Sequence, residues 1–558
     1  MSIFDNVSFP RHKRNVFNLS HDVNTSAAFG QLVPFICEEV LPGDTFQIST
    51  QLFARAMPMF APLMHKVNIY THFFFVPNRL VWDNWKDFIT GGEDGTAEPV
   101  FPKISIGSEF ARAGSLADHL GVGRALANDN NSAQLVNALP FRAYALIWNE
   151  YYRDQNLQEE LEISKEDGID TITNREILLR NWQKDYFTSS LPWTQRGPVS
   201  TLPIQSVSDV YMNASTNAGM FAGNVPLDRS LPIGVDPRSR LVTLNQSLSY
   251  SESSFDVMGE VGSGTENPNP TTEKIGEVEV PVASGINNEP SGTLKYNPNG
   301  TLSVNIDASF DINELRRSIA LQRWLEANAR GGARYIEQIY SHFGVVSSDA
   351  RLQRPEFLGG GRQPLTISEV LQTSASTADS DLGDMAGHGI SAAKTKQFRR
   401  YFEEHGFIIG IMSIMPKTSY MQGTRRFFGK FDKFDYAFPE FANLGEQSVY
   451  NSEIYNGFQN GINEESGTFG YQSRYCEYKY IPSSVHGALK TEAFEPWTLV
   501  RKFAAPPVLN SEFIDVDYKE EDLGRIFPVK DEDTQFIIQL WNDIKAVRIL
   551  PKHVIPSI

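Results

Sequence analysis

The sequence predicts a mainly β protein, a Greek-key sandwich of antiparallel sheets with long loops, several helices and a large insertion. Three observations carry this reading. The 558 residues include 37 Phe and 20 Tyr beside 41 Gly and 31 Pro, a pairing of aromatic surface with turn residues that suits broad sheets better than a helical bundle. Several segments alternate apolar and polar residues with the period of a half-buried strand. The strongest strand runs lie at opposite ends of the chain, and Greek-key connections bring such distant strands together in one discontinuous domain. No internal repeat of fixed period is present.

The elements follow in order. Asp44–Ala56 (DTFQISTQLFARA) alternates as a strand facing a core on one side should. His65–Val76 (HKVNIYTHFFFV) begins with alternation, ends in an apolar aromatic run, and is stopped by Pro77. In Arg79–Ile89 the residues Leu80, Trp82, Trp85, Phe88 and Ile89 recur at helical spacing before Gly91-Gly92. Phe141–Asn156, opened by Pro140, places Tyr144, Ile147, Trp148, Tyr151 and Tyr152 on one broad helical face.

Residues 201–310 differ in kind, with five basic and twelve acidic residues and only six aromatics. Such a segment buries little core and reads as an exposed, partly β insertion. Leu241–Tyr250, Ile275–Val282 and Thr293–Ile306 are its strand signals, with Asn297–Gly300 (NPNG) resembling a hairpin tip. Asp311 and Glu314 then stand in the capping-box relation before a helix that ends at Gly331-Gly332, and a second helix is expected over Ala333–Phe343. Strand signals return at Leu365–Gln372, Gly406–Met415, Phe469–Ile481 and Gln535–Leu550. The resulting division is 1–204 as the first part of the core, 205–305 as the insertion, and 306–558 as the second part of the core.

Composition excludes several functions. At about 150 residues per domain the length suggests three or four domains, an estimate that all-β chains inflate. Hydrophobic residues at 41% and charged residues at 21% are those of a folded globular chain. A net charge of −17 repels nucleic acid at long range, so any contact with it must be a local patch. The longest apolar run, Phe407–Met415, is too short to span a bilayer, so no membrane insertion is expected. The N-terminus lacks an apolar signal core. Cys37 and Cys476, each in a strand-like run, are expected as reduced thiols.

The chemical motifs sought are absent. No phosphate-binding G-x-x-x-x-G-K-[ST], no G-x-S-x-G and no H-E-x-x-H occurs, and Gly359-Gly360-Gly361 reads as a flexible or tight loop. His65 and His72 read as hydrogen-bonded sheet residues. The acidic groups Asp379, Asp381, Asp384 and Asp531–Asp533 could hold a hard cation but match no loop of defined spacing. No catalytic residue, cofactor or metal site is expected. Two places suit nucleic acid. Arg11, Lys13 and Arg14 lie in a polar N-terminal arm. Arg425–Phe438 (RRFFGKFDKFDYAF) interleaves Arg425, Arg426, Lys430 and Lys433 with rings, the arrangement that stacks unpaired bases. The competing reading of that stretch is an aromatic hairpin or loop packed on a neighbour, its cations snorkelling.

Four stretches, His65–Gly92, Phe141–Leu157, Ala329–Gly360 and Tyr471–Ile481, resemble the major capsid protein of microviruses, in the gokushovirus branch of small single-stranded DNA bacteriophages. The third is the most specific, because its run of ordinary residues has no generic reason to recur. The resemblance covers most of the chain outside roughly 205–305. It implies a viral jelly-roll sandwich, a T=1 shell of sixty copies around circular single-stranded DNA, and an insertion that protrudes at the threefold axes toward a host cell surface receptor. It also implies an internal scaffolding protein, a pilot protein and a small basic DNA-binding protein as partners, with assembly in the bacterial host cytoplasm and a final place in the virion. Sixty such subunits would carry about −1,000 formal charges, so a basic partner and local patches would have to offset the repulsion of the genome. The alternative is a carbohydrate-active or carbohydrate-binding β-sandwich, which needs paired carboxylates beside an aromatic platform. A weaker one is an autonomous DNA-binding protein, which the net charge opposes.

Overall fold

Two sheets of the computed structural model enclose one core. Residues 13–92, 96–107, 110, 112–123, 134–195, 353–371, 385–457, 461–519, 521–528 and 534–553 are described, together with strands and one helix between 207 and 331. The first sheet contains β1 (Asn15–Asn18), β2 (His21–Ala27), β4 (Thr45–Ala56), β7 (Thr366–Leu371), β8 (Met385–Lys394), β9 (Phe398–Tyr401) and β13 (Phe536–Arg548). The second has the order β6 (Glu356–Pro364), β5 (Val67–Pro77), β10 (Gly406–Pro416), β3 (Val33–Val40). Pairing is nested and antiparallel: β2 with β13, β3 with β10, β4 with β8, and β5 with β6. The chain changes sheet at six of the ten steps between these strands, and its first strands pair with its last. This is a jelly roll, the fold that the resemblance implied.

The two sheets are buried differently, and the sequence of each strand says why. In β13 (FIIQLWNDIKAVR) Phe536, Ile538, Leu540, Asn542, Ile544 and Ala546 point inward, Asn542 accepting from the Thr50 hydroxyl, while Ile537, Gln539, Trp541 and Lys545 face solvent. They meet Phe46, Ile48, Leu52 and Ala54 of β4, and, from the second sheet, Val33, Phe35, Ile69, Phe73, Phe75, Ile408, Met412 and Ile414. By contrast β10 (GFIIGIMSIMP) is buried at all eleven positions. Its other face, with Phe74 and Val76 of β5, is covered by α1 (Leu139–Ile147) and the wider turn Trp148–Tyr152 that continues it. An apolar run without alternation is what a strand covered on both sides requires.

This helical layer is fixed by polar anchors. The Tyr144 hydroxyl donates to the Leu32 carbonyl (2.7 Å) and accepts from the Leu178 N–H (3.1 Å). Arg142 is fully buried, pairs with Asp170 at 2.7 Å and donates to the Val81 and Glu166 carbonyls. Burial favours the neutral acid at Asp170, but bonds from Thr173 and Arg142 outweigh it and hold its carboxyl below the usual range. His72 reads as a satisfied sheet histidine: Nδ1 lies 2.8 Å from the Tyr152 hydroxyl, and burial and Arg180 push its pKa down to about 4.

Four expectations need correction. Gly359-Gly360-Gly361 is not a loop but the middle of β6, with a bulge between Phe357 and Gly359. A Cβ on Gly360 would lie 2.7 Å from the Thr71 carbonyl oxygen and one on Gly361 3.2 Å from the Thr71 hydroxyl, so these two are small because a neighbouring strand approaches closely. The helix expected from Arg79 begins only at Trp85, because Asn78–Leu80 forms a separate turn; Gly91 (φ 79°) caps it as expected. The strand expected over Phe469–Ile481 spans Thr468–Ser473, since Tyr475 adopts φ 60° and opens the helical turn Cys476–Lys479. Cys476 is therefore not in a strand, although Cys37 is.

The chain divides into two compact units, 1–197 with 325–558, and 198–324. In the second, Val207–Asn213 lies between Thr293–Asn297, which runs parallel to it, and Ser303–Ile306, which runs antiparallel. The two segments flanking Asn297–Gly300 therefore pair with a third strand instead of each other, and the hairpin reading fails. Thr271–Ile275 and Val278–Val282 do form a hairpin, and a helix spans Ile312–Gly331. Leu241–Tyr250, Ala333–Phe343 and both acidic groups lie outside the described residues.

Arg142→Met would strand the Asp170 carboxylate in an apolar layer. Breaking a buried pair this way costs about 3–5 kcal/mol, and thermal unfolding followed by circular dichroism should show a correspondingly lower midpoint.

Candidate functional site

The connection between β10 and β13 runs over residues 417–535 and carries the aromatic segment. It contains a hairpin, β11 (Glu446–Tyr450) with β12 (Thr468–Ser473), that packs on Tyr186, Phe187 and Phe513. Against it lies the segment from Arg425, folded into tight turns at Arg426–Gly429, Lys433–Asp435 and Pro439–Phe441 instead of a hairpin. Asp435 holds the middle turn by accepting the Phe431 and Asp432 N–H groups, both at 2.8 Å. Those bonds keep its carboxyl below the usual range.

Two of the predicted cations face inward. Arg426 donates to Glu453 Oε1 (3.0 Å) and to the Ser448 carbonyl (2.6 Å), with its guanidinium 4.5 Å over the Tyr450 ring. Lys430, whose side chain is 4% exposed, donates to Glu477 Oε1 (3.1 Å) and to the Tyr478 hydroxyl (2.9 Å). Glu453 also accepts from the Tyr186 hydroxyl, and Glu477 from Gln447. Burial works to raise the Glu477 pKa, but the bond from Gln447 together with Arg426 and Lys430 holds it below the usual carboxylate range.

The rings face outward. Phe427, Phe428, Phe431, Phe434, Tyr436 and Phe438 are each 41–76% exposed, Phe431 most of all. Arg425 is exposed and stacks on Phe427. The segment is thus an inverted piece of core, with ion pairs inside and aromatic surface outside. Its four cations are balanced by Asp432, Asp435, Glu453 and Glu477, so it presents apolar area with no net charge.

Of the other predicted cations, Arg11 lies outside the described residues. Lys13 and Arg14 are exposed, and Arg14 lies 5.3 Å over the Tyr401 ring at one end of the first sheet. Glu453, Glu477 and Tyr186 escaped the sequence reading because they come from distant segments and share no spacing with the loop. The two glutamates do stand beside tyrosines, as a glycosidase reading would want, yet each is spent on a cation. Among the described residues no group of three His, Cys, Asp or Glu could hold a metal ion, and no helix is long and apolar enough to cross a membrane.

A jelly roll whose sticky, charge-neutral surface is built on a loop, with both nearby carboxylates neutralised, belongs to the class of structural coat proteins. The chain is a member of the phage family described as capsid protein (F protein), which it matches over residues 6–558. It is 34% identical to the capsid protein VP1 of Chlamydia phage 1, across 100% of this chain and 97% of that one. It is 33% identical to VP1 of Bdellovibrio phage phiMH2K (98% and 95% covered) and 28% identical to VP1 of Spiroplasma virus 4 (100% and 97%). The resemblance to microvirus capsid proteins is borne out.

Glu477→Gln should lower stability by about 1.5–3 kcal/mol, the range for a lost bond to a charged group. Because the folded-state pKa is depressed, the carboxylate's contribution is present above the ordinary glutamate value and lost as pH falls through the lowered one. Tyrosine fluorescence during acid titration should show the wild-type loop loosening only in that acid window.

Proposed function

We propose that this capsid protein closes, as sixty copies, into a T=1 icosahedral shell around circular single-stranded DNA, with residues 425–438 forming part of the contact between copies. The exposed rings carry the reading. Six large aromatic side chains on one neutral, internally braced loop lower the free energy of the particle when a neighbouring subunit buries them, and aromatic residues are enriched in such interfaces. An icosahedral subunit needs several distinct contact surfaces, and a jelly roll with long loops supplies them.

The insertion, 205–305 in the division above, is assigned to a protrusion at the threefold axes that meets a receptor on the host cell. Its acidic, aromatic-poor composition supports an outward place. The remaining assignments rest on the family resemblance and on charge. A net of −17 per copy calls for a small basic DNA-binding protein beside the genome, with an internal scaffolding protein and a pilot protein completing assembly in the host cytoplasm. No catalysis is assigned, since the carboxylates nearest the exposed rings are held by Arg426 and Lys430.

Replacing Phe428 and Phe431 together by Ser should leave the subunit folded, with an unchanged circular dichroism spectrum, and abolish closed particles in electron micrographs. Normal particles from this variant would remove the loop from the contact. Deleting residues 220–300 should preserve soluble, folded protein and impair attachment to host cells; loss of all soluble protein would show that the insertion is not modular.

A further inference from the structure

The first sheet has a second face, and it is open. Along β13 the outward residues include Ile537, Trp541 and Lys545, of which Ile537 and Trp541 are 55% and 41% exposed. The register places Arg55 of β4 between Ile537 and Ile390, and Gln51 between Trp541 and Lys394. Two rows further, Gln47 lies between Lys545 and Arg399. The next row ends in Tyr401, over which Arg14 stacks. Arg55 packs likewise on Phe53, at 5.2 Å from the ring centroid.

The charge on this face opposes that of the chain. Arg55, Lys394, Arg399 and Lys545 are all exposed and make no ion pair among the described residues, and Arg14 adds a fifth cation. Among the described residues the acidic groups on the face are Asp22 and Asp543, and Asp543 accepts from the Ser20 hydroxyl. A surplus of free cations on a chain of net −17 is not needed for folding, because the sheet's stability comes from its inward side. From Ile537 to Lys545 the face extends about 26 Å at roughly 3.3 Å per residue. Unpaired cations interleaved with Trp541, Phe53 and Tyr401 over that length match a flexible polyanion with stackable bases.

We propose that this open face, bearing Arg55, Lys394, Arg399, Lys545 and Trp541, is the surface on which the subunit holds single-stranded DNA. It deepens the reading above, on which it rests, and it moves the nucleic-acid contact from the Arg425 loop, whose inner cations are already neutralised, to the sheet. The small basic partner would be repelled here and must bind elsewhere. Duplex DNA is disfavoured, because its bases are stacked on one another and offer Trp541 no free face.

The test uses the full chain and a fluorescein-labelled thirty-nucleotide oligo(dT), with affinity read by anisotropy from 50 to 300 mM NaCl. The variant Arg55→Gln, Lys394→Gln, Arg399→Gln, Lys545→Gln should bind at least thirtyfold more weakly at 50 mM. Its log–log salt slope should flatten by about 2–3, as the loss of three or four phosphate contacts on single strands requires. Trp541→Leu should weaken binding at least fivefold with the slope unchanged, the signature of lost stacking. Arg425→Gln with Lys433→Gln should stay within twofold of wild type. Circular dichroism melts and particle formation are recorded on the wild type and every variant, so a failure of the shell reading shows as an absence of wild-type particles regardless of oligonucleotide affinity. Wild-type affinity in the fourfold variant, no binding by the wild type, or loss of particles with oligonucleotide affinity intact would each overturn the proposal; the last would make the face a contact between copies.

Discussion

The architecture depends on one constraint: β10 has no polar face. A strand reading GFIIGIMSIMP cannot border water on either side, so the sheet containing it must be covered twice. One cover is the other sheet. The second must come from outside the sandwich, and the chain supplies it from the connection between β5 and β6, where α1 and the turn after it carry a matching apolar face. Arg142, Asp170 and Tyr144 lock that cover in place. The long loops of this protein are therefore structural parts of its core.

The same constraint leaves the opposite sheet free. β13 alternates along its length and β4 does so apart from the buried pair Ser49–Thr50, so the first sheet needs a partner on one side only. Its outer side can carry cations and rings at no cost to the core. The aromatic loop follows an analogous logic, since its polar interior of Arg426, Lys430, Glu453 and Glu477 fixes the backbone so that apolar side chains can point outward. Exposed aromatic area on a single subunit is unfavourable in water, and a closed assembly is the natural way to remove it.

Much of the sandwich was legible because strand period is a local property. The segments beginning at Asp44, His65, Gly406 and Gln535 were recognised from alternation or from its absence, and the helix after Pro140 from its aromatic stripe. What failed was non-local. The glycines of β6 look like a loop until Thr71 is seen pressing on them, and Asn297–Gly300 looks like a hairpin tip until Val207–Asn213 is found between its arms. Arg425–Phe438 is conspicuous in the sequence for its cations and rings, but no local pattern reveals that Glu453 and Glu477 consume its inner cations. The cationic sheet face was hidden differently: Arg55 and Lys545 occupy outward positions of strands read correctly, and only the register brings them together.

The protein is a sandwich with one doubly covered sheet and one open sheet, used as the wall of a container. An electron cryomicroscopy map of particles assembled from the full chain with DNA tests this most directly. It should show the outer side of β13 and β4 lining the interior against nucleic-acid density, with the rings near Phe431 buried against a neighbouring copy. A map in which that side of the sheet faces bulk solvent outside the particle, or in which the rings stay exposed, would contradict it.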